Sequence, residues 1–149
     1  MKKLTILMTL FFLAPLANAN EDTLKVNTLK SLYKNCVAYE VNRDSDSCYE
    51  ALYKVSSPEL KLALILASGF EAQEGMLCTD INLWDSVDPI FDTQITFTNM
   101  HDGRVLTRFG YGGKVSYSLS CNHHSCMVTD IFNRNDISFV QDANQNCYP

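Results

Sequence analysis

Basic residues are scarce in this chain. Twelve lysines and arginines face seventeen aspartates and glutamates over 149 residues, a formal charge of −5. That balance leaves no basic stripe for a phosphate backbone and argues against nucleic-acid binding. Long apolar runs are also missing. Beyond the first nineteen residues no stretch reaches the about 18 apolar positions of a spanning helix, so no membrane span is expected. The chain has no Gly-x-Ser-x-Gly, phosphate loop or metalloprotease motif. It also has no internal repeat, linker or low-complexity segment. What remains is the length of one domain with one core.

The first nineteen residues read as a cleavable export signal. Lys2 and Lys3 form a positive start, Leu4 to Leu16 is mostly apolar, and Ala17-Asn18-Ala19 is a small-x-small cleavage site. Cleavage after Ala19 is expected, with residues 20–149 forming a single domain in the periplasm. All six cysteines lie beyond that site. An even number in a small exported domain reads as a disulfide framework. Six cysteines allow fifteen pairings. Local spacing favours Cys121 with Cys126 across a hairpin turn and Cys36 with Cys48 across a polar turn. Cys78 is then left for Cys147.

Helical periodicity dominates the first half. Leu29, Leu32, Tyr33, Cys36 and Val37 share one face of a helix over 23–40. A short helical stretch with Tyr49, Leu52 and Tyr53 follows the polar turn. A third helix starts at Ser56-Ser57-Pro58-Glu59. Either Ser57 caps it with Pro58 in the first position, or Ser56 caps it with Glu59 closing a capping box. The apolar run Leu60 to Ala67 predicts a buried helix, with Gly69 as its stop. From about residue 75 the period shortens. Gln94 to Thr98, Arg104 to Tyr111, Val115 to Cys121 and Cys126 to Phe132 read as strands. On the last of these, Val128 and Phe132 are expected on one face and Met127, Thr129 and Ile131 on the other. The tail 136–149 reads as a short strand or a helical turn before a pinned end. The sum is an α+β fold, with helices packed on a curved antiparallel sheet of about four strands and stapled by disulfides.

This order resembles the cone-shaped nuclear-transport-factor-like fold. Three segments also resemble a family of small exported bacterial proteins placed in that fold. They are Ser57-Pro58-Glu59-Leu60, the stretch Asp85-Ser86-Val87-Asp88-Pro89-Ile90 with Asp92 and Gln94 beyond it, and Val128-Thr129-Asp130-Ile131. Cys126-Met127 stands where a tryptophan often precedes the aspartate. The resemblance implies a cone and, because similar domains include immunity proteins, the neutralisation of a secreted toxin. It supplies no catalytic residues.

Several clusters carry possible chemistry. Cys121-Asn122-His123-His124-Ser125-Cys126 holds two thiols and two imidazoles, but not at usual zinc spacing. A disulfide-closed hairpin with exposed histidines fits it better, and no metal or other cofactor is expected. Asp80, Asp85, Asp88 and Asp92 follow Glu71 and Glu74, and paired carboxylates can do acid–base work. A solvated, turn-forming loop explains them more simply. Cys78 with His101 could form a nucleophile pair, but an even cysteine count leaves no spare thiol. Asp130, inside an apolar strand, needs a partner such as Arg108 or a backbone cap. Trp84, beside the acidic loop, is expected as an exposed binding anchor. The resulting expectation is a non-enzymatic binding protein that covers an effector's active cleft. Its contacts would be Trp84, Asp85, Asp88 and Asp92, or the hairpin tip with His123 and His124. The alternative is a small-ligand carrier, or an enzyme, using an apolar cavity between helices and sheet.

Overall fold

A computed structural model describes residues 14–43, 46–79, 82–85 and 94–148, with side chains described from Asn20 onward. Three helices come first: α1 (Ala14–Asn42), α2 (Cys48–Val55) and α3 (Pro58–Glu74). Four strands follow: β1 (Ile95–Asn99), β2 (Val105–Phe109), β3 (Lys114–Cys121) and β4 (Cys126–Phe132). A short helix, α4 (Phe139–Asn146), closes the chain. The strands form one antiparallel sheet in the order β1-β2-β3-β4. The helices pack on it, so the α+β architecture expected from the patterning is present.

Helices α2, α3 and α4 start where a serine can satisfy a free N–H group of the first turn. Ser47 and Glu50 form a reciprocal capping box on α2. Of the two caps weighed for α3, Ser57 is used: its Oγ accepts from Leu60 N, and Pro58 takes the first turn. Gly69 does not stop this helix. It continues to Glu74, where Gly75 adopts φ 68°, a left-handed position that glycine takes without steric cost. The helix is also less enclosed than its apolar run suggests. Leu60, Ala63 and Leu64 are buried, whereas Leu62 and Ile65 are 55% and 50% exposed. Apolar residues all round the helix obscure which face meets the sheet.

The core lies between α1 and the inner face of the sheet. Leu29, Leu32, Tyr33 and Cys36 of α1 are buried, on the face read from their spacing. They meet Val105 and Phe109 of β2, Val115 and Tyr117 of β3, and Val128 and Ile131 of β4. Strict alternation misplaces the last pair. The β3–β4 register shifts between Ser118 and Leu119, so Ser118 faces Asp130 and Leu119 faces Val128. Thr129 is the extra residue of a bulge, which lets Val128 and Ile131 both turn inward.

The free edge of β4 is covered by the chain itself. Ser57 N donates to Val128 O at 2.8 Å, and Ser138 forms a bridge with Phe132. Asp130 stitches the same edge. Its Oδ1 accepts from Ile131 N and Val140 N, and its Oδ2 from Ser138 Oγ. The aspartate therefore has a structural role as a backbone cap, and Arg108 is not its partner.

Three disulfides complete the framework: Cys36–Cys48, Cys78–Cys147 and Cys121–Cys126. The first and last are the pairs that local spacing favours, and Cys78–Cys147 is the pair they leave. Cys78–Cys147 spans 69 residues and pins the end of α4. A loop of that length contributes about 4 kcal/mol in the chain-entropy account.

Candidate functional site

Tyr33 is the hub of the interior. Its ring lies 5.3–6.3 Å, centroid to centroid, from those of Trp84, Phe97, Phe109 and Tyr117, mostly edge to face. Its hydroxyl is 2.6 Å from the Tyr117 hydroxyl and donates to Leu83 O at 2.5 Å. Burial pushes both phenols well above their ordinary pKa, and for Tyr33 the neighbouring Tyr117 adds to the effect. Thr107 Oγ1, buried nearby on β2, meets no described residue in hydrogen-bond geometry, though its closeness to the Tyr33 phenol partly opposes that rise. The space between α1 and the sheet is thus an aromatic plug.

This plug corrects the expectation for Trp84, which is only 6% exposed and belongs to the core. The backbone around it explains the placement. Leu83 O accepts from Tyr33, and Trp84 O accepts from the Tyr111 hydroxyl. Asn82 Oδ1 accepts from Trp84 N and closes a local turn. With two tyrosine hydroxyls holding its carbonyls, the 82–85 segment turns its indole inward. Asp85 is a latch at the end of that segment. Its Oδ2 accepts from Lys114 N at 2.9 Å and its Oδ1 from Arg134 Nε at 3.1 Å. Its backbone sits at φ 49°. Both oxygens are engaged, so Asp85 is not the freely solvated carboxylate expected from the sequence. Asp80, Asp88 and Asp92 lie outside the described residues.

The hairpin tip matches its reading. Cys121–Cys126 closes it, Asn122 Oδ1 accepts from His124 N and Ser125 N, and His123 and His124 are exposed. All six cysteines are in disulfides, so neither a zinc-binding thiol nor a Cys78 nucleophile is present. Among the described residues no group of three or more His, Cys, Asp or Glu could hold a metal ion.

The concavity best suited to binding lies at the helical mouth of the plug. A cleft of about 260 Å³ opens between α2 (Cys48, Tyr49, Leu52), α3 (Leu64) and α4 (Phe139). Leu83 and Trp84 line it from the loop and Ile131 from β4, and Asn82 adds an amide to a mainly apolar wall. A second recess of about 170 Å³ shares Tyr49, Leu64 and Phe139 and extends to Leu77, Cys78 and Glu71. Tyr49 and Leu77 remain 41% and 67% exposed at the rim. Spacing alone could not find this cleft. It needs α2, α3 and α4 together, and α4 reaches it through the Cys78–Cys147 bridge and the Asp130 cap.

Among the described residues no carboxylate, imidazole, amine or free thiol lines the larger recess, and its titratable side chain is the Tyr49 phenol. It can desolvate an apolar group and offer one amide for orientation. Compared with known proteins, the chain matches no family model, no curated protein and no solved structure.

Proposed function

We propose that this chain is a non-enzymatic binding protein of the periplasm. In this reading it is an immunity or inhibitor protein that neutralises a secreted bacterial effector by occluding its active site. The observation that supports this most directly is the apolar cleft between α2, α3 and α4. Its floor is built by Leu52, Leu64, Trp84 and Phe139, and its rim leaves Tyr49 and Leu77 in water. An aromatic or aliphatic anchor from a partner would be desolvated on several sides there, as at binding hot spots. Three disulfides suit an oxidising compartment. The acidic balance of the chain would speed encounter with a basic effector. Trp84 then meets the partner's anchor as part of the cleft floor, and Asp85 fixes the segment that carries it. Asp88, Asp92, His123 and His124 keep the contact roles expected from the sequence.

The test is capture of secreted proteins by the oxidised chain, repeated with Tyr49→Asp and Leu77→Asp. A single stoichiometric partner is expected, with affinity falling about tenfold or more in each variant while circular dichroism stays unchanged. Unchanged affinity in both variants would remove the cleft from the account.

The same cleft supports a second reading, a carrier of a small apolar ligand. Its volume of about 260 Å³ and its single amide donor-acceptor at Asn82 favour this. Native mass spectrometry distinguishes the two. A small-molecule adduct that is lost in Leu64→Trp, which fills the cleft, favours the carrier. Adduct-free protein favours the inhibitor.

A further inference from the structure

The outer face of the sheet gathers cations that the overall charge conceals. A recess of about 370 Å³ is lined by Arg104, Arg108, Lys114 and Arg134, with Ser116 and Asn133 beside them. These are four of the twelve basic residues in a chain with seventeen acids.

Their charges are not all balanced. Arg104 is held by Asp102 and Asp136. Arg134 reaches Asp85 through Nε and Nη2, which leaves Nη1 uncommitted in those bonds. Arg108 and Lys114 form no ion pair among the described residues, and they are direct cross-strand partners in the β2–β3 register. Like charges placed opposite each other on one sheet face destabilise it. Threonine or serine would fit either position, as Thr96 does on the same row beside Arg108 and Ser116 does two residues along β3. A local rule broken without compensation among the described residues points outward, to a ligand.

The remaining groups are donors. Asn133 Oδ1 accepts from Asn135 N and Ile137 N, so its Nδ2 is the end left to donate. The one carboxylate in the lining, Asp136, is occupied by Arg104. Guanidinium, ammonium, amide and hydroxyl donors around one recess match the lone pairs of a multi-oxygen anion.

We propose that this recess is an oxyanion site, separate from the apolar cleft. In it Arg108, Lys114 and Arg134 hold a phosphate or carboxylate group, and Asn133 and Ser116 orient it. The bound anion sits over the Arg108–Lys114 pair and neutralises its repulsion.

The test titrates inorganic phosphate, and separately citrate, into the oxidised protein in an anion-poor buffer, followed by amide NMR shifts. Saturable shifts confined to Arg108, Lys114, Ser116, Asn133 and Arg134 are expected. In the double variant Arg108→Gln/Lys114→Gln the dissociation constant should rise about tenfold or more. The Lys61→Gln control, on α3, should leave it unchanged. Tighter phosphate binding assigns a phosphoryl-bearing ligand, tighter citrate binding assigns a polycarboxylate, and either supports the site. Shifts that stay linear and spread over the surface would overturn it. So would a constant unchanged by the double variant, or one weakened equally by Lys61→Gln.

Discussion

The two faces of one sheet solve opposite problems. On β3, Val115 and Tyr117 face α1 and are fully enclosed, while Lys114 and Ser116 face away. The inner face spends its aromatic residues filling space: Tyr33, Trp84, Phe97, Phe109 and Tyr117 meet ring to ring. The outer face leaves a recess open and places Arg108 against Lys114 at its floor. A packed core cannot tolerate a void, and a binding face cannot function without one. The contrast separates the packed interior from the open surfaces to which we assign binding. The two proposed sites lie at the helical mouth and on the outer sheet, and the interior between α1 and the strands is filled by packed side chains.

Substitutions on the two faces should therefore differ most in the size of their effect on stability. The largest effect is expected inside. Tyr33→Ala removes the hub of four ring contacts and should cost about 3–5 kcal/mol in urea unfolding. A cost below about 1 kcal/mol would mean the interior is loosely packed. Thr107→Val keeps the shape and removes a buried hydroxyl that meets no described residue in hydrogen-bond geometry. It should raise stability by about 1 kcal/mol, and a clear loss would reveal a hydrogen bond at that position. The smallest effect is expected outside. Arg108→Thr relieves a like-charge pair and should raise stability by about 0.2–1 kcal/mol. Saturating phosphate should erase that gain, because the anion already screens the pair in the parent chain. A clear loss of stability in low salt would sharpen the comparison the other way, showing that Arg108 is held by the fold.

Much of the architecture could be read from local pattern. The α1 face, the Ser56-Ser57-Pro58 start of α3, the four strands and the two short-range disulfides follow from local spacing, whereas Cys78–Cys147, 69 residues apart, follows only as the pair left over. The misses share a different cause. Gly69 reads as a stop only if its position is judged without Gly75, and helix propensity tolerates an isolated glycine. The inward turn of Ile131 depends on a bulge, which shifts alternation by one residue and leaves no compositional mark. Trp84 lies in an acidic, turn-rich stretch, and nothing nearby shows that Tyr33 and Tyr111, distant in sequence, will bind the carbonyls around it. The sites were the least legible part. The apolar cleft joins residues from 48 to 139, and the cationic recess joins residues from 100 to 136. Net charge averages the whole surface, so an acidic chain can still hide a local cluster of arginines.

The central claim is that the space between α1 and the sheet is a sealed core. An alkaline titration of the seven tyrosines, read as phenolate absorbance, tests it most directly. Burial raises the pKa of Tyr33 and Tyr117 in the folded state above the unfolded value. Stability from the two groups is then complete below about pH 10, the ordinary phenol pKa. It falls as pH rises further, because the unfolded chain loses protons that the folded chain keeps. The account predicts that two phenols stay un-ionised above that point and appear only in the same transition as loss of near-ultraviolet circular dichroism. Ionisation of all seven tyrosines with the tertiary signal intact and reversible would contradict it, and would show an interior open to water.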